Sequence, residues 1–171
     1  MVRWINYWDG RSFGAETAAK MRSPPDKFPT NFDYDVASEG ASSKIKDTSQ
    51  KLASAFASGD AAAAVGLFTN DAVYLDRALR VRILGKQAIG KYLTRVLAAT
   101  PYGKGSKLMH VVGSDQGGGF EWTNDGSSVK RGVIAIDLNS AGQIVRLEAT
   151  WDNSIMSDAD LQALLLQSIE K

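Results

Sequence analysis

The sequence predicts an α+β fold in which helices precede a curved antiparallel sheet. Between residues 43 and 97 most apolar residues recur at helical spacing, whereas residues 107–151 form short apolar segments separated by turn sequences. The turn sequences at 124–127 and 139–142 are typical of tight hairpins, so the strands that they join are expected to pair antiparallel. Helices that come before such a meander cover one face of its sheet.

Three helices and two strands are expected in the first half of this region. A helix from about Ser43 to Ala57 carries an apolar stripe and stops at Gly59, and Asp60 caps a second, short helix that reaches Phe68. The polar segment Thr69–Asp71 then ends this helix. Strands are expected at 72–76 and 80–84, and a third helix at 89–97, which ends before a proline.

The second half predicts four strands and one helix. The strands are expected at 107–113, 119–123, 129–138 and 143–151, with Gly117–Gly119 as a flexible turn. Ser157 caps the last helix, whose apolar residues lie between Leu161 and Ile169 and are expected to seal the base of the domain.

Composition excludes several classes of function. The 171 residues carry 20 Lys and Arg against 19 Asp and Glu, no Cys, and His110 as the single histidine. Disulfides, thiol catalysis and Cys- or His-rich metal sites are therefore excluded, and neutral charge argues against nucleic acid. No apolar run approaches the roughly 20 residues that span a bilayer, and the N-terminus lacks a signal-peptide pattern. We expect a soluble cytoplasmic protein without metal or cofactor.

Residues 1–42 are expected to form an N-terminal extension to a domain at 43–171. Residues 10–42 are rich in Gly, Pro, Ser and Asp and show no period, which is typical of a linker. Residues 2–9, VRWINYWD, share Val, Arg, Trp and Asp with residues 145–152, VRLEATWD. Either this similarity arises by chance, or residues 1–9 repeat the last strand of the same fold.

Several short motifs together resemble the SnoaL-like and ketosteroid-isomerase-like proteins of the nuclear transport factor 2-like superfamily. The motifs are Ser58-Gly59-Asp60, the segment 67–76 (LFTNDAVYLD), the segment 85–89 (GKQAI) and the closing segment 142–146 (GQIVR). The resemblance covers residues 43–156. It implies a cone-shaped fold, with helices behind a bent sheet, whose open end is an apolar pocket for a small hydrophobic molecule. It also implies a homodimer that forms through the open sheet face.

Asp76 is the candidate catalytic residue that this resemblance implies. Its position in the segment 67–76 matches the general base of the ketosteroid-isomerase-like enzymes, and a partly buried carboxylate is suited to moving a proton between carbons. The alternative is an ion pair with Arg77, Arg80 or Arg82 that fixes the hairpin. His110 is a second candidate, as an acid or base if it converges with Asp76, or as a purely structural strand residue.

The predicted pocket lining consists of polar and aromatic side chains on the strands. Tyr74 lies on the same strand face as Asp76 and could orient a ligand, although such a tyrosine is more often a core residue. The other lining residues predicted are Phe120, Trp122, Asn124 and Trp151, whose aromatic members are suited to a planar or polycyclic ligand.

Two functions remain open at this point. The first is a cofactor-independent isomerase, cyclase or lyase that acts on a hydrophobic cyclic substrate. The second is a non-catalytic ligand-binding, dimerisation or scaffold domain of the same fold. The first is the leading hypothesis, with Asp76 as the proton-transfer residue. The second gains support because Leu52 and Ile134 stand where the isomerases carry oxyanion-hole donors. The epoxide-hydrolase triad is also missing, since its positions align with Trp122, Asn124 and Ala149.

Overall fold

The computed structural model describes residues 40–169 and the isolated positions Glu16, Thr17, Lys20 and Lys27. Within 40–169 the elements are α1 (Ser43–Ser58), α2 (Ala61–Gly66), β1 (Phe68–Asp76), β2 (Val81–Leu84), α3 (Lys86–Val96), β3 (Lys107–Ser114), β4 (Gly117–Thr123), β5 (Arg131–Leu138), β6 (Ile144–Trp151) and α4 (Asp158–Ser168). The predicted α+β class is confirmed. The segment 1–9 and most of the predicted linker lie outside the described residues.

Side-chain caps and a glycine set the ends of the first helices. The Ser42 hydroxyl accepts a hydrogen bond from the Ile45 N–H, and an Asp60 carboxylate oxygen accepts one from the Ala63 N–H, so each side chain satisfies an otherwise unpaired helical donor. Gly59 ends α1 in the left-handed region, at φ 74°, which an L residue adopts only with strain.

The six strands form one sheet in the order β2-β1-β6-β5-β4-β3. Strands that follow one another along β3 to β6 pair antiparallel, as do β1 and β2. β1 lies parallel to β6, which makes the sheet mixed. Local turn chemistry cannot predict this pair because four strands and a helix separate its members in sequence.

β1 begins earlier than the sequence predicts. The structure includes Phe68 and the expected break at 69–71 in the strand, with a register shift between Phe68 and Val73. Phe68 pairs with Ile144, and the Ile144 N–H donates to the Leu67 carbonyl at 2.9 Å. Pairing with β6 therefore overrides the local turn preference of these polar residues.

The two faces of the sheet differ in exposure. A row of paired residues runs from Asp76 through Ala149, Ile134 and Phe120 to Val111, and all five are buried beneath the helices. We call the side of the sheet that carries this row the inner face. The outer face carries the neighbouring row Leu75, Glu148, Ala135, Gly119 and Val112.

Glycines let the strands approach closely where β3 and β4 join. A Cβ on Gly118 would overlap the Val112 carbonyl oxygen, and Gly113 adopts φ 141°. β4 begins at Gly117, so the glycine run at 117–119 is part of this strand and not the flexible turn that the sequence predicts. Among the helices that the structure describes, none has both the length and the apolar character needed to cross a membrane.

Candidate functional site

The Asp76 carboxylate is buried at the end of β1, with 1% of the residue exposed. Its Oδ1 accepts a hydrogen bond from the Leu79 N–H at 2.9 Å, and its Oδ2 accepts one from the Tyr102 hydroxyl at 2.9 Å. The indole N–H of Trp151 approaches the same Oδ2 at 3.3 Å. Three donors from different parts of the chain therefore meet at one carboxylate.

The strand period explains why Asp76 points inward. Tyr74 and Asp76 lie two residues apart on β1 and share its inner face, where Asp76 pairs with Ala149 of β6. The turn that follows begins at Arg77 and ends at Arg80, which adopts φ 56°. The bond from Leu79 closes this turn, so Asp76 stabilises the β1–β2 hairpin through a backbone amide.

Burial changes the acidity of this carboxyl. Loss of hydration raises the pKa of Asp76 to about 6, from an ordinary value near 3.8, while the hydrogen bonds from Leu79, Tyr102 and Trp151 oppose the rise. The geometry does not support the predicted alternative of an ion pair between Asp76 and an arginine of the hairpin, since Arg77 forms its ion pair with Glu148. The hydrogen bonds to Asp76 come from neutral donors.

Tyr102 links Asp76 to a second tyrosine. The Tyr102 and Tyr74 hydroxyl oxygens are 2.7 Å apart, and both side chains are buried. A hydroxyl has one proton, so Tyr102 donates to Asp76 while Tyr74 donates to Tyr102. Burial raises the pKa of both phenols well above the ordinary value of 10.0. Both phenols therefore keep their protons at neutral pH.

Aromatic rings enclose this hydrogen-bonded chain. The Tyr102 ring lies 5.6 Å from that of Phe56 and 6.1 Å from that of Trp122, centroid to centroid, and the Trp122 contact is edge-on. The Tyr74 ring lies 5.4 Å from that of Tyr92. These distances are typical of packed aromatic pairs, so rings fill the space around Asp76.

Asn124 holds the segment that carries Tyr102. Its Nδ2 donates to the carbonyls of Pro101 and Lys104, at 2.8 and 3.2 Å, and its Oδ1 accepts from the Gly126 N–H at 3.0 Å. This side chain is 5% exposed. It cross-links the α3–β3 segment, residues 97–106, to the β4–β5 hairpin.

The structure brings several of the predicted lining residues together around Asp76. Trp151 donates to its carboxylate, Tyr74 is joined to it through Tyr102, and Trp122 packs against the same phenol. Phe120 occupies the same inner-face row, three strands away. These residues pack against one another as parts of the core.

His110 does not converge with Asp76. Four strand spacings of about 4.8 Å, or roughly 19 Å in all, separate β1 from β3 across the sheet. His110 lies in a register shift of β3 opposite Glu121, which forms an ion pair with Arg131 at 3.6 Å. The condition for a carboxylate–imidazole pair is therefore not met.

Tyr102 is the central side chain that sequence reasoning missed. It lies outside every periodic segment, so neither helical nor strand patterns assign it to the interior. The available signal was local: an aromatic residue between Pro101 and Gly103 in a connection made mostly of small residues. A Cβ on Gly103 would overlap the Leu97 carbonyl oxygen, which shows how tightly this segment packs.

Asp76 lines neither of two depressions on the surface of the described residues. One of about 530 Å³ lies between α1 and α2 and is lined by residues that include Lys51 and Asp60. The other, of about 350 Å³, lies beside the 97–106 segment and is lined by residues that include Lys104 and Asp125. The Asp76 carboxylate itself is closed to solvent.

Solved structures share this architecture. A steroid delta-isomerase from Pseudomonas aeruginosa superposes with a TM-score of 0.56 at 18% identity, over 77% of this chain and 93% of that one. A SnoaL-like protein from Burkholderia thailandensis E264 gives 0.55 at 11% identity, over 65% and 97%. An NTF-2-like protein from Burkholderia xenovorans LB400 gives 0.51 at 19% identity, over 64% and 83%. This chain has the SnoaL-like, nuclear transport factor 2-like fold.

The likeness extends to the fold alone, because all three identities are low. Neither a family model nor a curated protein matches the sequence. A shared fold does not determine an activity, so the chemistry of this chain depends on the residues of its site. In this chain the interior of the SnoaL-like cone is occupied by its own aromatic side chains.

Proposed function

We propose that this chain is a non-catalytic association domain of the SnoaL-like fold, and that it binds a second copy of itself through the outer face of the sheet. The observation that carries this proposal is the enclosure of Asp76. A group that transfers protons to or from a substrate needs substrate within hydrogen-bond reach. In this chain the Tyr102 hydroxyl and the Trp151 indole N–H occupy positions within hydrogen-bond distance of the Asp76 carboxylate.

The outer face has the side chains of an association surface. Leu84, on β2, is 56% exposed and Val112, on β3, is 55% exposed, so two large apolar groups lie near opposite edges of the sheet. Isolated exposed apolar residues are ordinary on protein surfaces. Two on one regular face make that face a candidate for burial against a partner.

Charged groups between these edges favour a second copy as the partner. Glu148 accepts hydrogen bonds from Arg77 and Arg146, which leaves the central strands of the face with two guanidinium groups around one carboxylate. In a two-fold interface the same patch meets itself, so the arginines of one copy can reach the acidic groups of the other. Such complementary charges set register and suppress other partners.

Light scattering coupled to size-exclusion chromatography tests this proposal. The unmodified protein is expected to have a mass of twice the 18.4 kDa of one chain. Leu84→Glu and Val112→Glu are each expected to shift the mass to that of one chain, because a charge would be buried in the interface. Leu166→Glu is the matched control, since Leu166 is 60% exposed on α4. A monomeric unmodified protein would contradict the proposal.

A second candidate is proton-transfer catalysis on a small hydrophobic cyclic molecule. The observation that favours it is the burial of Asp76, which raises its pKa to about 6 and so suits a carboxylate that takes a proton from carbon and returns it near neutral pH. The Tyr102 hydroxyl would have to leave Oδ2 for substrate to approach. His110 takes no part in this scheme, because it lies near the opposite edge of the sheet.

A ligand panel separates the two candidates. Polycyclic ketones and polyketides are added to the full chain, and the melting temperature and turnover are measured. Catalysis requires a ligand that raises the melting temperature and is turned over, with turnover lost and binding kept in Asp76→Asn. If no member of the panel shifts the melting temperature, the enzymatic candidate loses its support.

A further inference from the structure

Tyr102 fills its place in the interior as a bound ligand would. It comes from a connecting segment, whereas its surroundings come from the regular elements of the fold. Phe56 of α1 and Trp122 of β4 contact its ring, and Asp76 and Tyr74 of β1 bind its hydroxyl. The ring is therefore held between apolar walls, with polar anchors only at its hydroxyl end.

These anchors define the chemistry of the group between them. The Asp76 carboxylate accepts a hydrogen bond, and Tyr74, whose only proton points at Tyr102, donates one. A group that satisfies both needs an oxygen that carries a proton and a free lone pair. A planar ring with one hydroxyl meets this requirement, whereas a ring with a methyl group in its place leaves both anchors unpaired.

We propose that this space is a binding site for one hydroxyaromatic ring, and that the chain occupies it with its own Tyr102. The inference goes beyond association through the sheet and does not depend on it. It identifies phenols as the class of ligand that fits this site. The site becomes available when the Tyr102 ring is absent.

The backbone of the 97–106 segment is held independently of the ring. Asn124 binds the carbonyls of Pro101 and Lys104, the Gly105 N–H donates to the Ala57 carbonyl at 3.0 Å, and the Ser106 hydroxyl donates to the carbonyl of residue 102. Substitution of the Tyr102 side chain removes none of these bonds. Tyr102→Ala is therefore expected to leave the segment in place and to open a cavity of the size of one ring.

The test compares phenol with toluene, which have similar shapes and differ in the hydroxyl. Apolar cavities of about 150 Å³ take up benzene-sized molecules without any polar contact, so binding of an aromatic ring alone is not informative. In Tyr102→Ala, calorimetry and the melting temperature are expected to show phenol binding at least about tenfold tighter than toluene, because toluene leaves buried polar groups unpaired.

A matched control supplies a cavity without anchors. Phe68 is a fully buried ring on β1 that lies 6.4 Å from the Tyr74 ring, centroid to centroid, and Phe68→Ala removes none of the three donors to Asp76. This variant is expected to bind toluene at least as tightly as phenol, since phenol loses hydration without finding a partner. The unmodified protein, whose site is filled, is expected to bind neither.

Three results would overturn the proposal: equal affinity of Tyr102→Ala for both probes, phenol preference in Phe68→Ala, or equal phenol binding by the unmodified protein. Poor folding of Tyr102→Ala does not remove the test, because refolding from urea can be followed with each probe in the buffer. The proposal expects phenol, and not toluene, to increase the folded fraction. A variant that phenol fails to refold would count against it.

Discussion

The Tyr102 hydroxyl donates a hydrogen bond of 2.9 Å to Oδ2 of Asp76, and this contact joins the α3–β3 segment to the end of β1. Both partners are buried, so the bond forms where water cannot replace it. The three hydrogen bonds that the Asp76 carboxylate accepts are all made within the protein. Four predictions test how much of the stability of the fold depends on this arrangement.

Tyr102→Phe is expected to lower the free energy of unfolding by roughly 2 kcal/mol, because a buried carboxylate loses a donor. The pKa of Asp76 should also rise further, since the Tyr102 bond opposes the effect of burial. Urea denaturation measures the first effect. Tyr92→Phe is the control, because the buried Tyr92 hydroxyl makes no hydrogen bond at good geometry. Equal losses in the two variants would contradict the prediction.

The pH dependence of stability should carry the signature of Asp76. The folded pKa of about 6 lies above the ordinary 3.8, so the folded state binds the proton more tightly. The stability contributed by this group is therefore complete below about pH 4 and is lost as the pH rises toward 6, by about 3 kcal/mol in all. The free energy of unfolding of the unmodified protein minus that of Asp76→Asn should fall by most of this total, about 2 kcal/mol, between pH 4 and 7. A flat difference would show that the pKa of Asp76 is not raised.

Asn124→Ala is expected to destabilise the protein by about 3 kcal/mol, because it leaves two carbonyls and one N–H without their partner. Hydrogen exchange at Gly103 and Gly105 should accelerate in the same variant. Asn139→Ala is the matched control. Asn139 caps the β5–β6 turn through Gln143 and has no bond to the 97–106 segment, so exchange in that segment should not change. Unaltered exchange in Asn124→Ala would refute the anchoring role.

Gly103→Ala and Gly66→Ala should differ in the sign of their effects. A Cβ at Gly103 meets the backbone carbonyl of Leu97, which cannot move aside, so a loss of roughly 3 kcal/mol or more is expected. A Cβ at Gly66 meets no atom within 4 Å, and alanine favours the helix by up to about 1 kcal/mol. Thermal unfolding of both variants measures the contrast. A stable Gly103→Ala protein would mean that the segment packs less tightly than described.

Most elements of the fold could be predicted because their signals are local. Ser42, Gly59, Asp60 and Ser157 mark helix ends through caps and a left-handed glycine, and the turn residues at 139–142 separate β5 from β6. The start of β1 was predicted too late. At Phe68 a long-range pair with Ile144 outweighs the turn preference of the polar residues that follow.

The candidate site shows the opposite balance. The alternation of β1 was enough to place Tyr74 and Asp76 on one face, and the resemblance to SnoaL-like proteins directed attention to Asp76. The partners of its carboxylate could not be predicted. Leu79 is local, but Tyr102 and Trp151 lie 26 and 75 residues away and reach it only after the strands have paired.

The sequence alone was sufficient for the α+β class and the order of helices and strands, because periodicity and capping act over a few residues. Tertiary structure decided that β1 pairs parallel with β6, that His110 lies near the far edge of the sheet, and that Asn124 holds a segment of backbone. Tertiary structure also decided which side chain fills the interior of the fold beside Asp76. The side chain that completes the interior comes from an aperiodic connection, and only the packing of distant elements brings Tyr102 to Asp76.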